Sequence, residues 1–490
     1  MATGEPKTSS LKQAQKHWDR RDYSLAIEAF LRGQGSTQDS LGLVCNVAQI
    51  LLTLRRSPEA LALLEQGVRV DPSYQPLHEN LLAACLHTAS ESPRAIAKRH
   101  FDWAKLYPSA PSQARLPAVP KRIRVGYVSP NFNFNPEVFF TLPLIRGHDK
   151  RRFEVFCYSA GPVSAWTAKF RRAADHWRNI AGQDDARAAE LIRKDGIHIL
   201  VDLTGHFAGG RLPIFAHRPA PVQVSFPTYP ATTGLPAIQY RITDGWADPA
   251  DAATARLYSE ALIRLPHCYC CYEPPPDAPA VAPPPMLRDG RVTFGVFNRT
   301  QKITNEMLRL WAKILAKTQG SRLLFHHVYN GPRSVQPEFT EPILAVLGHE
   351  GIAAERVRFA GMRSSVSAHL AVFNEVDISL DTYPYHGMTT TCESLWMGVP
   401  VVTLAGRSHV ARVGVSLNSS VGLTQFIAAN PTGYVRAAVR AAADPEGLKR
   451  LRFELRARMS RSICDNAAYV KSVENAYRTI WELERRKLRL

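Results

Sequence analysis

The stretch Asp377-Ile-Ser-Leu-Asp-Thr-Tyr-Pro-Tyr-His-Gly-Met-Thr-Thr-Thr-Cys-Glu-Ser-Leu-Trp-Met-Gly-Val-Pro400 decides how this chain folds. Asp377–Leu380 reads as a buried strand. Pro384 and Gly387 mark a turn, and three threonines open a helix placed at Thr391–Met397. Val399–Leu404 is then the next strand. Strand, turn, helix and strand in so few residues make a parallel-sheet unit, because parallel strands need a crossover. At the helix start, unpaired backbone N–H groups and the positive end of the helix dipole favour an anion, and threonine hydroxyls add donors. A diphosphate fits there; a threonine-capped helix that binds nothing is the alternative. Glu393 lies one turn further in, where a carboxylate can accept bonds from ribose hydroxyls.

The same alternation extends both ways. Upstream it predicts strands Val292–Val296, Arg322–His326 and Val357–Ala360, with helices Asn305–Ala316 and Val366–Phe373. Before the proline-rich stretch Pro274–Pro285 it predicts strands Ile123–Val128, Phe153–Tyr158, Ile197–Leu203 and Val222–Phe226 and helix Ala186–Lys194. The expectation is an α/β protein with two parallel-sheet, Rossmann-like domains, at 122–285 and 286–465. Ligands of such sheets sit outside the carboxyl ends of the strands. A C-terminal helix, Tyr469–Arg485, falls in the last segment, 466–490.

Residues 11–108 read as all-helical, within an N-terminal repeat domain placed at 1–115. Ala26, Phe30 and Gly33 are followed by Ala60, Leu64 and Gly67, then by Ala97, Phe101 and Ala104, at steps of 34 and 37 residues. Pro72 and Pro108 close the second and third units. This spacing is that of tetratricopeptide repeats, with small residues where helices cross; an ordinary helical bundle is the alternative. The four prolines of PSAPSQARLPAVPK (108–121) form a linker.

Of 490 residues, 45 % are hydrophobic and 21 % charged, as in a globular protein. No apolar run approaches the roughly 18 residues of a membrane span, and Met1–Ser10 lacks the apolar core of a secretory signal. Both point to the cytoplasm. The net charge of +18 is spread along the chain without an RNA-binding signature, so it reads as a solvated basic surface and not a nucleic-acid site. Among the eight cysteines only Cys268, Cys270 and Cys271 cluster. CYCC has no second pair for zinc and alternates like a buried strand.

Other segments carry candidate chemistry. FGVFNRTQKI (294–303) ends a strand in a loop with Arg299 and Lys302. A cation there can stabilise a leaving nucleoside diphosphate, or Lys302 is a plain surface lysine. VDLTGHFAGGR (201–211) puts Asp202 and His206 after a strand. His206 can act as a base or bond an acceptor, or be satisfied within its loop. PVQVSFPTYPATTG (221–234) is a strand followed by a turn-rich loop carrying Tyr229. His369 lies on an amphipathic helix, where it can meet a base or be structural.

Together these segments resemble the protein O-GlcNAc transferase/SPINDLY family, glycosyltransferase family 41. The phrases RIRVGYVSP (122), DGIHILVDLTGH (195), RPAPVQV (218), YPATTGLP (229), YRITD (240), FNRTQKIT (297), DISLDTYPYHGMTTTCESLWMGVPVVTLAG (377) and RVGVSL (412) stand in the family order. The wording of TTTCESLWMGVP is nearer the bacterial and SPINDLY branch. The resemblance implies a GT-B fold. It also implies inverting, metal-free transfer of a sugar, GlcNAc from UDP-GlcNAc, to Ser or Thr of a protein or peptide. That acceptor is expected in the helical repeats and the cleft. GDP-fucose as donor, and a non-catalytic tetratricopeptide adaptor, stay open. By position Lys302 matches the lysine that holds the diphosphate, and Thr389, Thr390 and Thr391 the phosphate-binding helix start. Glu393 matches an acid near the ribose and His369 a histidine near the base. The chain departs from the pattern at Asn131 and Asn135, where the family has Asp and His; at Pro227-Thr228 and Arg299; and around His386 and Met388. Asn135 is therefore expected to position an acceptor or phosphate without taking a proton, which would leave by another route: His206, water or the donor phosphate.

Overall fold

The computed structural model describes residues 12–13, 16–17, 20, 22–32, 41–111, 120–326, 336–361 and 363–487. Gly33 of the first repeat triplet, Met1–Ser10 and linker residues 112–119 lie outside the described residues.

Helices Tyr23–Arg32, Leu41–Thr53, Ser57–Val70, Gln75–Cys85 and Pro93–Ala104 form the N-terminal part. The triplets fall on the first, third and fifth of these. Ala26, Ala60, Leu64, Ala97 and Ala104 are buried. Gly67 shows why a small residue is needed: a Cβ there would lie 2.7 Å from Leu77 Cδ2.

Next come strands β1 (Ile123–Ser129), β2 (Phe153–Ser159), β3 (His176–Asn179), β4 (Ile199–Asp202), β5 (Val222–Ser225), β6 (Tyr240–Asp244) and β7 (Ala261–Leu265). They pair in the order β3-β2-β1-β4-β5-β6-β7. The second sheet contains β8 (Thr293–Val296), β9 (Arg322–His326), β10 (Val357–Ala360), β11 (Ile378–Leu380), β12 (Val401–Leu404) and β13 (Ile427–Ala428). Its order is β10-β9-β8-β11-β12-β13. The register of each pair is parallel, as β1 with β4 and β8 with β11. Covered by helices on both faces, the central strands show no alternation of burial; β4, β5 and β12 are buried at each position. In each sheet the chain order reverses once, between β1 and β4 and between β8 and β11, and a crevice opens there at the carboxyl edge.

The proline stretch after β7 is a strap on the second sheet. Ala282 N–H donates to Asn374 Oδ1 (3.0 Å), Asn374 Nδ2 to Ala280 O (3.0 Å) and Arg456 Nη2 to Pro279 O (2.9 Å). The reading of CYCC as a strand is corrected. Cys268–Cys271 are buried but join neither sheet, because Tyr269 N–H is spent on Asp244 Oδ2 (2.8 Å). The last helix, Asn466–Lys487, crosses back to the first sheet, where Glu474 meets His148 Nδ1 (3.0 Å) and Tyr477 meets Tyr127 (3.1 Å). No helix among the described residues is long and apolar enough to cross a membrane.

Candidate active site

The loop after β8 and the turn after β11 adjoin because the two strands are hydrogen-bonded neighbours. Lys302 ends a single 3-10 turn, Thr300–Lys302, and its Nζ donates to His386 O at 3.0 Å. The ammonium lies 4.0 Å from the centroid of the Tyr385 ring. Lys302 and the threonine helix start therefore belong to one sheet, at its switch point, and do not approach from opposite halves. Burial pushes the Lys302 pKa down to about 7; the Asp381 carboxylate opposes this and Arg299 adds to it. Arg299 itself is exposed on the same loop.

The helix that follows is Thr389–Trp396. Its three threonines do different things. Thr391 is buried and its hydroxyl donates to Gly387 O (2.8 Å). Thr390 Oγ1 donates to Asn298 Oδ1 (3.2 Å). Thr389 is half-buried, and its hydroxyl makes no bond within the described residues. Gly387 allows the close packing here, since a Cβ would lie 2.3 Å from Thr390 Oγ1. Asp381 ties the turn: its Oδ1 accepts from Gly387 N–H (2.9 Å), Thr382 N–H (2.9 Å) and Asn298 Nδ2 (3.1 Å). His386 is buried beneath. Its Nε2 faces Leu404 O (3.0 Å) and so carries the proton, while Nδ1 accepts from Gly414 N–H (3.1 Å). Burial lowers its pKa, and the neutral ring holds the turn whose carbonyl takes Lys302.

A second group lies deeper on the same sheet. His326 Nδ1 faces Ala360 O (3.3 Å), which makes Nε2 an acceptor for His369 Nδ1 (3.0 Å). His369 Nε2 in turn donates to Glu393 Oε2 at 3.1 Å. Donating at both nitrogens, His369 is cationic. Burial works against that charge, but the Glu393 carboxylate wins and raises its pKa.

The helical region reaches this site directly. His87 stacks on Tyr385 with centroids 4.5 Å apart, and its Nε2 lies 3.4 Å from Gln301 Nε2. Arg55 Nε donates to Ile303 O (2.9 Å). From the first half, Tyr269 OH donates to Met388 Sδ (3.8 Å).

Four residues expected on the acceptor side make their bonds within the fold. His206 is 1 % exposed, with Nε2 on Thr233 O (2.8 Å) and its ring packed by Trp103, His100 and Tyr229. Burial lowers its pKa far below the ordinary value, so it is a core histidine and not an accessible base. Tyr229 is buried and bonds His100 Nε2 (2.7 Å), fastening the helical region to the first sheet. Asp202 is buried and accepts from Gly205 N–H (2.8 Å) and Thr204 N–H (3.3 Å), turning its own loop. Asn135 spends its amide within residues 131–137: Oδ1 accepts from Glu137 N–H (2.7 Å) and Nδ2 donates to Asn131 O (3.1 Å). Sequence reasoning in turn passed over Asn298 and Asp381, inside segments it quoted, and marked His386 only as a departure. His87 had no local signal, since only the fold brings it to Tyr385.

Two Rossmann-like sheets with a polar, cationic site at the switch point of the second define a GT-B protein. The sequence profile of Glycosyl transferase family 41 matches residues 71–273 and 285–473. A Solanum lycopersicum protein named "Probable UDP-N-acetylglucosamine--peptide N-acetylglucosaminyltransferase SPINDLY" is 39 % identical over 424 residues, 84 % of this chain and 45 % of that protein. The Arabidopsis thaliana protein SEC is 31 % identical over 375 residues, 74 % of this chain and 37 % of SEC. A solved structure of a mutant of Thermobaculum terrenum O-GlcNAc transferase superimposes with a TM-score of 0.90 at 33 % identity, covering 98 % of this chain and 92 % of that one. This chain belongs to glycosyl transferase family 41. It spans about half the length of the curated relatives it matches.

Proposed function

We propose that this protein is an inverting O-glycosyltransferase that moves GlcNAc from UDP-GlcNAc to Ser or Thr hydroxyls of a protein acceptor. The observation that carries the reading is the pairing of Lys302 with the turn that opens helix Thr389–Trp396. The negative charge that develops on a leaving diphosphate would meet an ammonium, the N–H groups of a helix start and the Thr389 hydroxyl. Fixed donors of this kind stabilise charge without reorganising, and they need no metal. His369 and Glu393 would border the nucleoside, with Glu393 shared between His369 and a ribose hydroxyl. The names of the plant relatives and of the Thermobaculum enzyme support GlcNAc as the sugar and UDP as the nucleotide. The acceptor would enter between the helical region and the β1–β4 crevice.

The test is release of UDP or GDP from a panel of nucleotide sugars, GDP-fucose included, with a Ser/Thr-rich peptide pool as acceptor. UDP-GlcNAc should be consumed and the peptide should gain the sugar. Turnover of GDP-fucose alone would replace the donor. Turnover of none of the panel, by a folded protein, would favour a binding scaffold over an enzyme.

A further inference from the structure

The two departures from the family pattern in SPNFNFNPE both touch the same glutamate. Asn131 Nδ2 donates to Glu137 Oε2 at 3.0 Å, and Asn135 Oδ1 accepts from Glu137 N–H at 2.7 Å. An aspartate at 131 could only repel Glu137, whereas the amide holds it. Glu137 is half-buried, at the end of the loop that follows β1, on the switch-point crevice of the first sheet. Its Oε1 makes no hydrogen bond within the described residues. Its charge also reaches Tyr385, beside Lys302. Tyr385, whose ring carries the Lys302 ammonium, has its phenol pushed up by burial; Arg299 opposes this and the Glu137 charge adds to it.

Resting on the transferase reading above, we propose that Glu137 is the general base of this enzyme. The acceptor hydroxyl gives its proton to Glu137 Oε1. The hydroxyl oxygen forms the new bond to the anomeric carbon. The bond from that carbon to the diphosphate oxygen breaks, and its electron pair leaves with the nucleotide. The neighbouring groups do not compete. Asn135 is an amide, His206 is enclosed, and the Asp202 carboxylate is consumed by two backbone N–H groups. The titratable groups that face Glu137 are Asp202, at the end of β4, and Tyr385. Burial lifts the Glu137 pKa to about 7; the bond from Asn131 opposes this and Asp202 adds to it. A base with a pKa near the working pH is the effective one.

The experiment is the pH profile of kcat/KM for the parent, Glu137→Gln and Asn131→Asp, with UDP binding measured on each by thermal shift. The parent should lose rate as pH falls through about 7, because the base must be unprotonated. Glu137→Gln should still bind UDP, be slower by about 10²-fold or more, and lack that acid limb. Asn131→Asp adds a like charge and should move the limb to higher pH. A Glu137→Gln protein within threefold of the parent, with the limb intact, overturns the proposal and leaves proton transfer to the donor phosphate. Should Glu137→Gln lose UDP binding, Asn131→Asp decides alone: an unmoved limb overturns the proposal. A parent that turns over no nucleotide sugar overturns the transferase reading, and this one with it.

Discussion

Lys302 concentrates the chemistry of the proposed donor site in one group. In the protein alone its pKa is about 7, so at pH 8 most of it is neutral. A diphosphate favours the ammonium and should raise that pKa. Binding of UDP then takes up a proton, and affinity should weaken as pH rises above about 7, by up to about tenfold per unit. Titration calorimetry in buffers of different ionisation heat checks this: a flat Kd from pH 7 to 9, with no buffer dependence, would rule it out. Lys302→Ala should abolish the dependence and cut transfer by about 10²–10³-fold, with the fold kept because Lys302 donates to one carbonyl only.

At the scale of elements, the working unit is a strand, a turn and a helix. β11 delivers Asp381, the turn carries Tyr385 and Gly387, and helix Thr389–Trp396 presents its N-terminus. His386 is the pin beneath, bonded to Leu404 O at the end of β12 and to Gly414 N–H in helix Val413–Ser420. His386→Ala would leave both backbone groups buried and unpaired, at about 1–3 kcal/mol each. It should also free the carbonyl that receives Lys302. Urea unfolding and UDP calorimetry on the same protein test both effects. Full stability together with unchanged UDP affinity would show that the turn stands without this ring.

The whole molecule is held by contacts that no single half contains. Asp248, after β6, meets His409 Nδ1 at 2.7 Å; both are 1 % exposed. Arg412 Nε donates to Trp246 O at 2.8 Å beside them, and Ser416 Oγ donates to Asp244 Oδ2. Burial alone would raise the Asp248 pKa, but His409 and then Arg241 and Thr243 bring it well below the ordinary 3.8. A depressed carboxylate contributes stability that is complete above that ordinary value and is lost as pH falls through the depressed one. Asp248 should therefore add no slope to stability between pH 5 and 8. Asp248→Asn removes the buried carboxylate that His409, Thr243 and Tyr258 all meet and should cost about 3–5 kcal/mol. A loss below 1 kcal/mol in urea unfolding would mean that the halves do not depend on this pair.

Read alone, the chain disclosed the class of fold, because central parallel strands are buried on both faces and so carry short apolar runs, as in VGYV (125–128) and ILV (199–201). It disclosed less where burial is one-sided or polar. Strand β3 is the edge sequence HWRN, and β6 contains Arg241, buried because Tyr229 O (2.7 Å) and Ala231 O (3.1 Å) accept from it. Local motifs picked out the proposed donor side, since a helix start and the loop cation next to it are short-range features. What surrounds the expected acceptor-side residues was decided by tertiary structure. Whether a histidine is a base or a core residue depends on what surrounds it. His206 is enclosed by Trp103 and His100 from a helix about a hundred residues away in the chain. Glu137, two positions beyond the residue that drew attention, is held at the crevice by Asn131.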